Sequence, residues 1–82
     1  MRTLRTLATR ANIPHTVEPG DPDRITVHRD GTVLSLTTRR SERGRINGYA
    51  WHVHAQGRAP LAGSYDREAD VVQALMVVGG RR

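Results

Sequence analysis

His52 and His54 stand two residues apart in the stretch GYAWHVHAQG (48–57), beside the chain's only tryptophan, Trp51. In an extended strand, residues i and i+2 point to the same side, so both imidazoles would share a face. His28 sits in a second alternating segment and could join them. Three imidazoles can ligate zinc. Two can serve as acid and base in phosphodiester cleavage, the chemistry of a ribonuclease or phosphodiesterase. Neither site is completed by the rest of the chain. There is no cysteine, and no carboxylate is spaced to orient the rings. Ser35, Ser41 and Ser64 belong to no motif that joins a nucleophile to a base and an acid. The acids cluster over 18–23 and 66–70, where turns and a helix start account for them. The expectation is a protein that is not an enzyme, with no cofactor and no metal. A two-His phosphodiesterase or ribonuclease is the catalytic form the histidines would suggest.

The second candidate chemistry is electrostatic. The 13 basic residues are all arginine, a choice that a GC-rich genome explains, and the net charge is +5. Its distribution carries more meaning. Basic and acidic residues balance in 1–23 and again in 59–82. Between them stand Arg24, Arg29, Arg39, Arg40, Arg43, Arg45 and Arg58 against only Asp30 and Glu42. A localised positive field attracts polyanions or acidic protein surfaces. Arginine suits bidentate contacts to phosphate and guanine. The expected contact set is Arg39, Arg40, Arg43, Arg45 and Arg58, with Thr37, His52 and His54 making finer contacts. Such a run of charge also serves to solvate a long loop, which is the plainer explanation.

The elements that must hold these groups are set by spacing. At 82 residues the chain makes one domain with a thin core, a size at which self-association as a homodimer adds burial. Residues 2–12 have helical spacing, with Leu4, Leu7, Ala8 and Ala11 on one side. Residues 13–23 hold three prolines and a glycine and read as an irregular connector. The sheet is expected over 24–65. Asp30-Gly31 is a two-residue hairpin turn that pairs Arg29 with Thr32, Val27 with Leu34 and Ile25 with Leu36. Those apolar residues then share one face, and Arg24, Thr26, His28, Val33, Ser35 and Thr37 share the other. An Arg-rich mobile loop is expected over 39–48. The next strand puts Tyr49, Trp51 and Val53 on the apolar side and Ala50, His52 and His54 on the polar one. A last strand near 59–65 starts at Pro60, a sign of a sheet edge. Residues 66–78 read as a helix with Asp66 as its N-cap, and 79–82 as a tail. The class is α+β: an N-terminal helix, an antiparallel meander of three to four strands, and a C-terminal helix packed on one sheet face.

Two segments resemble known families. LATRANIPHTV (7–17) resembles the first helix and turn of a lac-repressor-type helix-turn-helix. The segment Glu18-Pro19-Gly20-Asp21-Pro22 cannot continue into a recognition helix, so a plain amphipathic helix is expected. Trp51, then Gly57-Arg58, then LAGSYDREADVVQAL (61–75) resembles the strand–strand–helix pattern of the ethylene-response-factor DNA-binding domains and the arm-type domains of tyrosine integrases. Gly63, Tyr65, Asp66 and Ala74 fall at the matching spacing. That resemblance implies a three-stranded sheet seated in the DNA major groove, with DNA-facing positions between Thr32 and Ala59 and with Trp51 able to contact the DNA backbone. Val71 and Val72 stand where those families carry alanine. The helix–strands–helix order is also that of double-stranded-RNA-binding domains, but Asp66-Arg67-Glu68 replaces their basic motif.

The expectation is a small basic protein that binds duplex DNA through an open sheet face and an Arg-rich loop. An accessory or regulatory factor of a phage or mobile element would fit. The alternative is a protein-binding module (an inhibitor, antitoxin or adaptor) that docks an acidic partner through the same loop. No apolar run is long enough to span a bilayer and no signal-peptide pattern opens the chain, so no membrane partner and a cytoplasmic location are expected.

Overall fold

Leu4, Leu7 and Ala8 are buried on one side of α1 (Leu4–Arg10), as helical spacing requires. Residues 1–79 are described by the computed structural model. Thr3 caps α1, its Oγ1 accepting from the Thr6 N–H at 3.2 Å. The helix is shorter than the expected 2–12 because its end is built as a left-handed stop. Asn12 has φ 57°, its N–H donates to the Thr9 carbonyl, and the Ile13 N–H donates to the Ala8 carbonyl. These paired bonds close the last turn and bury Ile13 against the core. The chain then enters a strand rather than a second helix.

Five strands form one antiparallel sheet in sequence order: β1 (Thr16–Glu18), β2 (Asp21–Arg29), β3 (Thr32–Arg40), β4 (Ile46–Ala55) and β5 (Leu61–Tyr65). That is one or two more than the three to four expected. The addition is β1, which lies in the expected connector. Pro19-Gly20, with Gly20 at φ 80°, is turn chemistry, and it folds the connector back into a hairpin. Asp30 and Gly31 both take positive φ, and the registers Arg29↔Thr32, Val27↔Leu34 and Ile25↔Leu36 hold as expected. The loop expected over 39–48 contracts to the turn 41–45, because both strands run on to pair Arg40 with Ile46.

Both helices lie on one face. Ile25, Val27, Leu34, Leu36 and Tyr49 from the sheet meet Leu4, Leu7 and Ala8 of α1, and Val71 and Leu75 of α2 (Glu68–Gly79). α2 starts two residues after Asp66, the expected cap, and includes Gly79. A Cβ on Gly79 would stand 2.7 Å from both Ile13 Cγ2 and Val27 Cγ1, so the helix end seats its backbone directly on β2. The remaining residues of the expected tail, 80–82, lie outside the described residues. Tyr49, 0% exposed, is the buried ring of the core, and its hydroxyl donates to the Arg2 carbonyl. Burial, with the Glu68 carboxylate nearby, pushes its phenol pKa up. Arg2 also donates to Glu68 through its backbone N–H and its guanidinium, which latches the N-terminus to the start of α2. Trp51 is only half-buried. Its indole leans over Gly63 and stacks on Tyr65, with centroids 5.9 Å apart and planes at 24°.

One polar atom of the core is unsatisfied. Thr38 is 7% exposed and its Oγ1 has no hydrogen-bond partner among the described residues. A buried hydroxyl without a partner costs about 1–3 kcal/mol. Thr38→Val keeps the shape and the strand propensity, so it should raise stability by about 1 kcal/mol, read as a higher denaturant midpoint. A lower midpoint would mean that the hydroxyl is satisfied in solution.

Candidate nucleic-acid interface

The face away from the helices is set by the registers. One row across it reads Arg24, Thr37, Ala50, Ser64. The next reads Thr16, Thr26, Ser35, His52, Ala62, and beyond it lie His28, Val33, His54. Arg39 lies past the first row, opposite Gly48. Every charged or titratable side chain at these positions is Arg or His; none is a carboxylate. The rest are small, and Val33 is the bulkiest apolar residue among them. These rows offer no acidic repulsion toward a polyanion; exposed Glu18, two residues beyond Thr16, stands at the β1 edge of the face.

The arginines are not equivalent. Arg40 Nε and a terminal nitrogen each donate to the Asp23 carboxylate at 2.8 Å, and the other terminal nitrogen donates to the Gly44 carbonyl at 2.8 Å. Arg40 therefore closes the turn rather than offering its guanidinium to a ligand. The turn is tightened further where Ser41 N–H donates to the Arg45 carbonyl and Gly44 N–H to the Ser41 carbonyl. Gly44, at φ 80°, makes that geometry accessible. Arg39, Arg43 and Arg45 are exposed and have no acidic partner among the described residues. β3 and β4 continue toward this turn beside the first residues of β2, where Asp23 holds Arg40. The pairs Arg39↔Gly48 and Arg40↔Ile46 lie beyond Arg24↔Thr37 on one side and Tyr49↔Tyr65 on the other. The result is a two-stranded arm, braced at Asp23, with Arg39 on β3 and Arg43 and Arg45 in its turn, none of them with an acidic partner among the described residues.

The other residues chosen from the sequence divide. Thr37 and His52 lie on the open face beside Arg24 and Ser35, respectively, and His54 lies farther along. Arg58 is in the turn after β4, at the opposite end of the sheet from the arm, roughly 30 Å away at 3.3 Å per strand residue. Arg24, outside the chosen set, belongs to it. The hairpin register alone puts it in the row of Thr37.

Hydrogen bonding by Arg40 holds the Asp23 carboxyl below its ordinary pKa. A depressed carboxyl pKa contributes stability that is present above its unfolded value, about 3.9, and lost as pH falls through the lower folded value. Asp23→Asn should therefore flatten the acid side of the stability profile below about pH 4. It should also speed hydrogen exchange of the Ser41 and Gly44 amides severalfold at neutral pH. Unchanged exchange would mean that the turn holds without this ion pair.

A catalytic or metal site needs groups that converge. His54 and His28 are separated by Val33 in their row, and among the described residues no three His, Asp or Glu gather into a metal-binding group. His52 lies across from Ser35, but no carboxylate stands in their row. Two clefts lie on the helix side. One of about 620 Å³ lies between Arg2, Leu7 and the outer side of α2. One of about 410 Å³ lies between α2 and the ends of β4 and β5. No helix among the described residues is long and apolar enough to cross a membrane. No family model, curated protein or solved structure matches the chain.

Proposed function

We propose that this protein binds duplex DNA through the open sheet face, with the β3–β4 arm leading. The observation that carries the proposal is that the charged groups on the β2, β3 and β4 rows of that face are Arg and His, together with the exposed guanidiniums of Arg39, Arg43 and Arg45, which have no acidic partner among the described residues. At about 4.8 Å per strand, five strands span roughly 19 Å, too wide for a major groove of about 12 Å. A two-stranded arm fits. Arg43 and Arg45 would then enter the groove or clamp its rim. Arg24, Arg39, Thr37, His52 and His54 would meet the flanking phosphates, and the small side chains would allow close approach. The resemblance to sheet-type DNA-binding domains agrees with this placement, though here the arginines crowd at one end of the face. The setting would be an accessory or regulatory role on the DNA of a phage or mobile element.

The test is affinity for duplex DNA, duplex RNA, single strands and polyglutamate at several salt concentrations. Phosphate contacts predict a linear fall of log affinity with log salt, with a slope near −0.9 for each phosphate neutralised. Polyglutamate bound as tightly as duplex DNA would favour an acidic protein partner instead.

A further inference from the structure

The two edges of the sheet are protected unequally. β1 is only 3 residues long, its register with β2 breaks after Val17, and it is flanked by Pro14 and Pro19 and carries the exposed Glu18. Short length, irregularity, proline and charge are the means by which edges avoid pairing with another chain. β5 has fewer of them, although Pro60 and Asp66 flank it. Leu61–Tyr65 holds no charge and no proline, its register with β4 is unbroken, and among the described residues nothing pairs with its outer side. Exposed apolar residues gather beside this edge. Leu61 is 64% and Val77 71% exposed, and both line the 410 Å³ cleft with Trp51, Val53 and Tyr65.

We propose that β5 pairs antiparallel with β5 of a second copy, about a two-fold axis at Gly63, to form one ten-stranded sheet. Leu61 and Tyr65 are equally distant from Gly63, so the pairing sets each Leu61 opposite the partner's Tyr65 on the helix side. The partner's ring then walls the open flank of the cleft and covers the exposed leucine. Charge agrees with this register. Continued past the strand ends, it brings Arg58 toward the partner's Asp66, and symmetry makes the contact twice. Arg58 and Asp66 are both exposed in the single chain. Paired residues of an antiparallel ladder share a face, so the two open faces lie on the same side of the joined sheet. They would present one continuous surface to a duplex, a consequence that rests on the function proposed above; the pairing itself does not.

Sedimentation equilibrium without nucleic acid tests it on the wild type, Leu61→Glu, Arg58→Glu and Met76→Glu. Met76 is 58% exposed on the outer side of α2, away from β5, and serves as the control. The wild type should approach twice 9.1 kDa as concentration rises. Leu61→Glu and Arg58→Glu should remain near 9.1 kDa at concentrations where Met76→Glu still dimerises, with circular dichroism unchanged in all four. A monomeric wild type would overturn the proposal. So would a dimer that survives Leu61→Glu and is lost in Met76→Glu, because that places the interface on the helix.

Discussion

Replacing Arg39, Arg43 and Arg45 with alanine, while keeping Arg40, is expected to weaken duplex DNA binding on the order of 100-fold at 0.15 M salt. Each phosphate contact contributes about 0.9 to the slope of log affinity against log salt, so three contacts account for a slope of about 2.7. Between 0.15 M and 1 M that slope amounts to roughly two decades. The prediction is therefore double: a lower affinity and a flatter salt dependence, converging with the wild type near 1 M. Stability should hardly change, since the three side chains are exposed and lack acidic partners among the described residues. Arg40 has to stay. Removing it breaks the fork to Asp23 and the bond to Gly44, which would mix a loosened turn with a lost contact. Equal affinity and equal slope in wild type and triple variant would remove the arm from the interface.

Gly63→Ala is expected to destabilise the fold by about 2 kcal/mol, lowering the melting temperature by roughly 10 °C. Strand propensity alone points the other way, because glycine in a strand gives up more backbone freedom than alanine. The geometry decides the sign. A Cβ on Gly63 would stand 2.6–2.8 Å from three atoms of the Trp51 indole, well inside contact distance. The ring can escape only by giving up its stack on Tyr65, and β5 loses its cover with it. Since Trp51 is the only tryptophan, its fluorescence reports the displacement directly as a shift to longer wavelength. A variant as stable as the wild type with unshifted emission would mean that the indole does not rest on Gly63.

Much of the sheet was readable because two independent signals coincided. Asp30-Gly31 fixed the hairpin register, and apolar alternation then had only one face to occupy, so the residues of the open face in β2 and β3 came out correctly. The alternation of β4 placed His52 and His54 in the same way. What escaped depends on contacts remote in sequence. The Asp23–Arg40 fork links residues 17 apart, and no local pattern marks Arg40 as different from Arg39 or Arg43. Without that fork the basic segment reads as a mobile loop rather than a braced arm. β1 was hidden by its prolines, which suggest irregularity until Pro19-Gly20 is seen as a turn. Alternation put Trp51 with Tyr49 and Val53 on the covered side, and it does pack against the core, but only half-buried. The fully buried ring is Tyr49, its hydroxyl satisfied by the Arg2 carbonyl, while Trp51 covers a glycine near the edge.

The most direct measurement is residue-by-residue NMR titration of the protein with a short DNA duplex. If the sheet's bare face meets the duplex, signals from Arg24 to His28, Val33 to Arg45, Ala50, His52 and His54 should move together, with the three imidazoles among them. Those from Ala69, Gln73 and Met76 on the outer side of α2 should stay in place. Perturbations confined to α1 and α2, with the imidazoles silent, would contradict it.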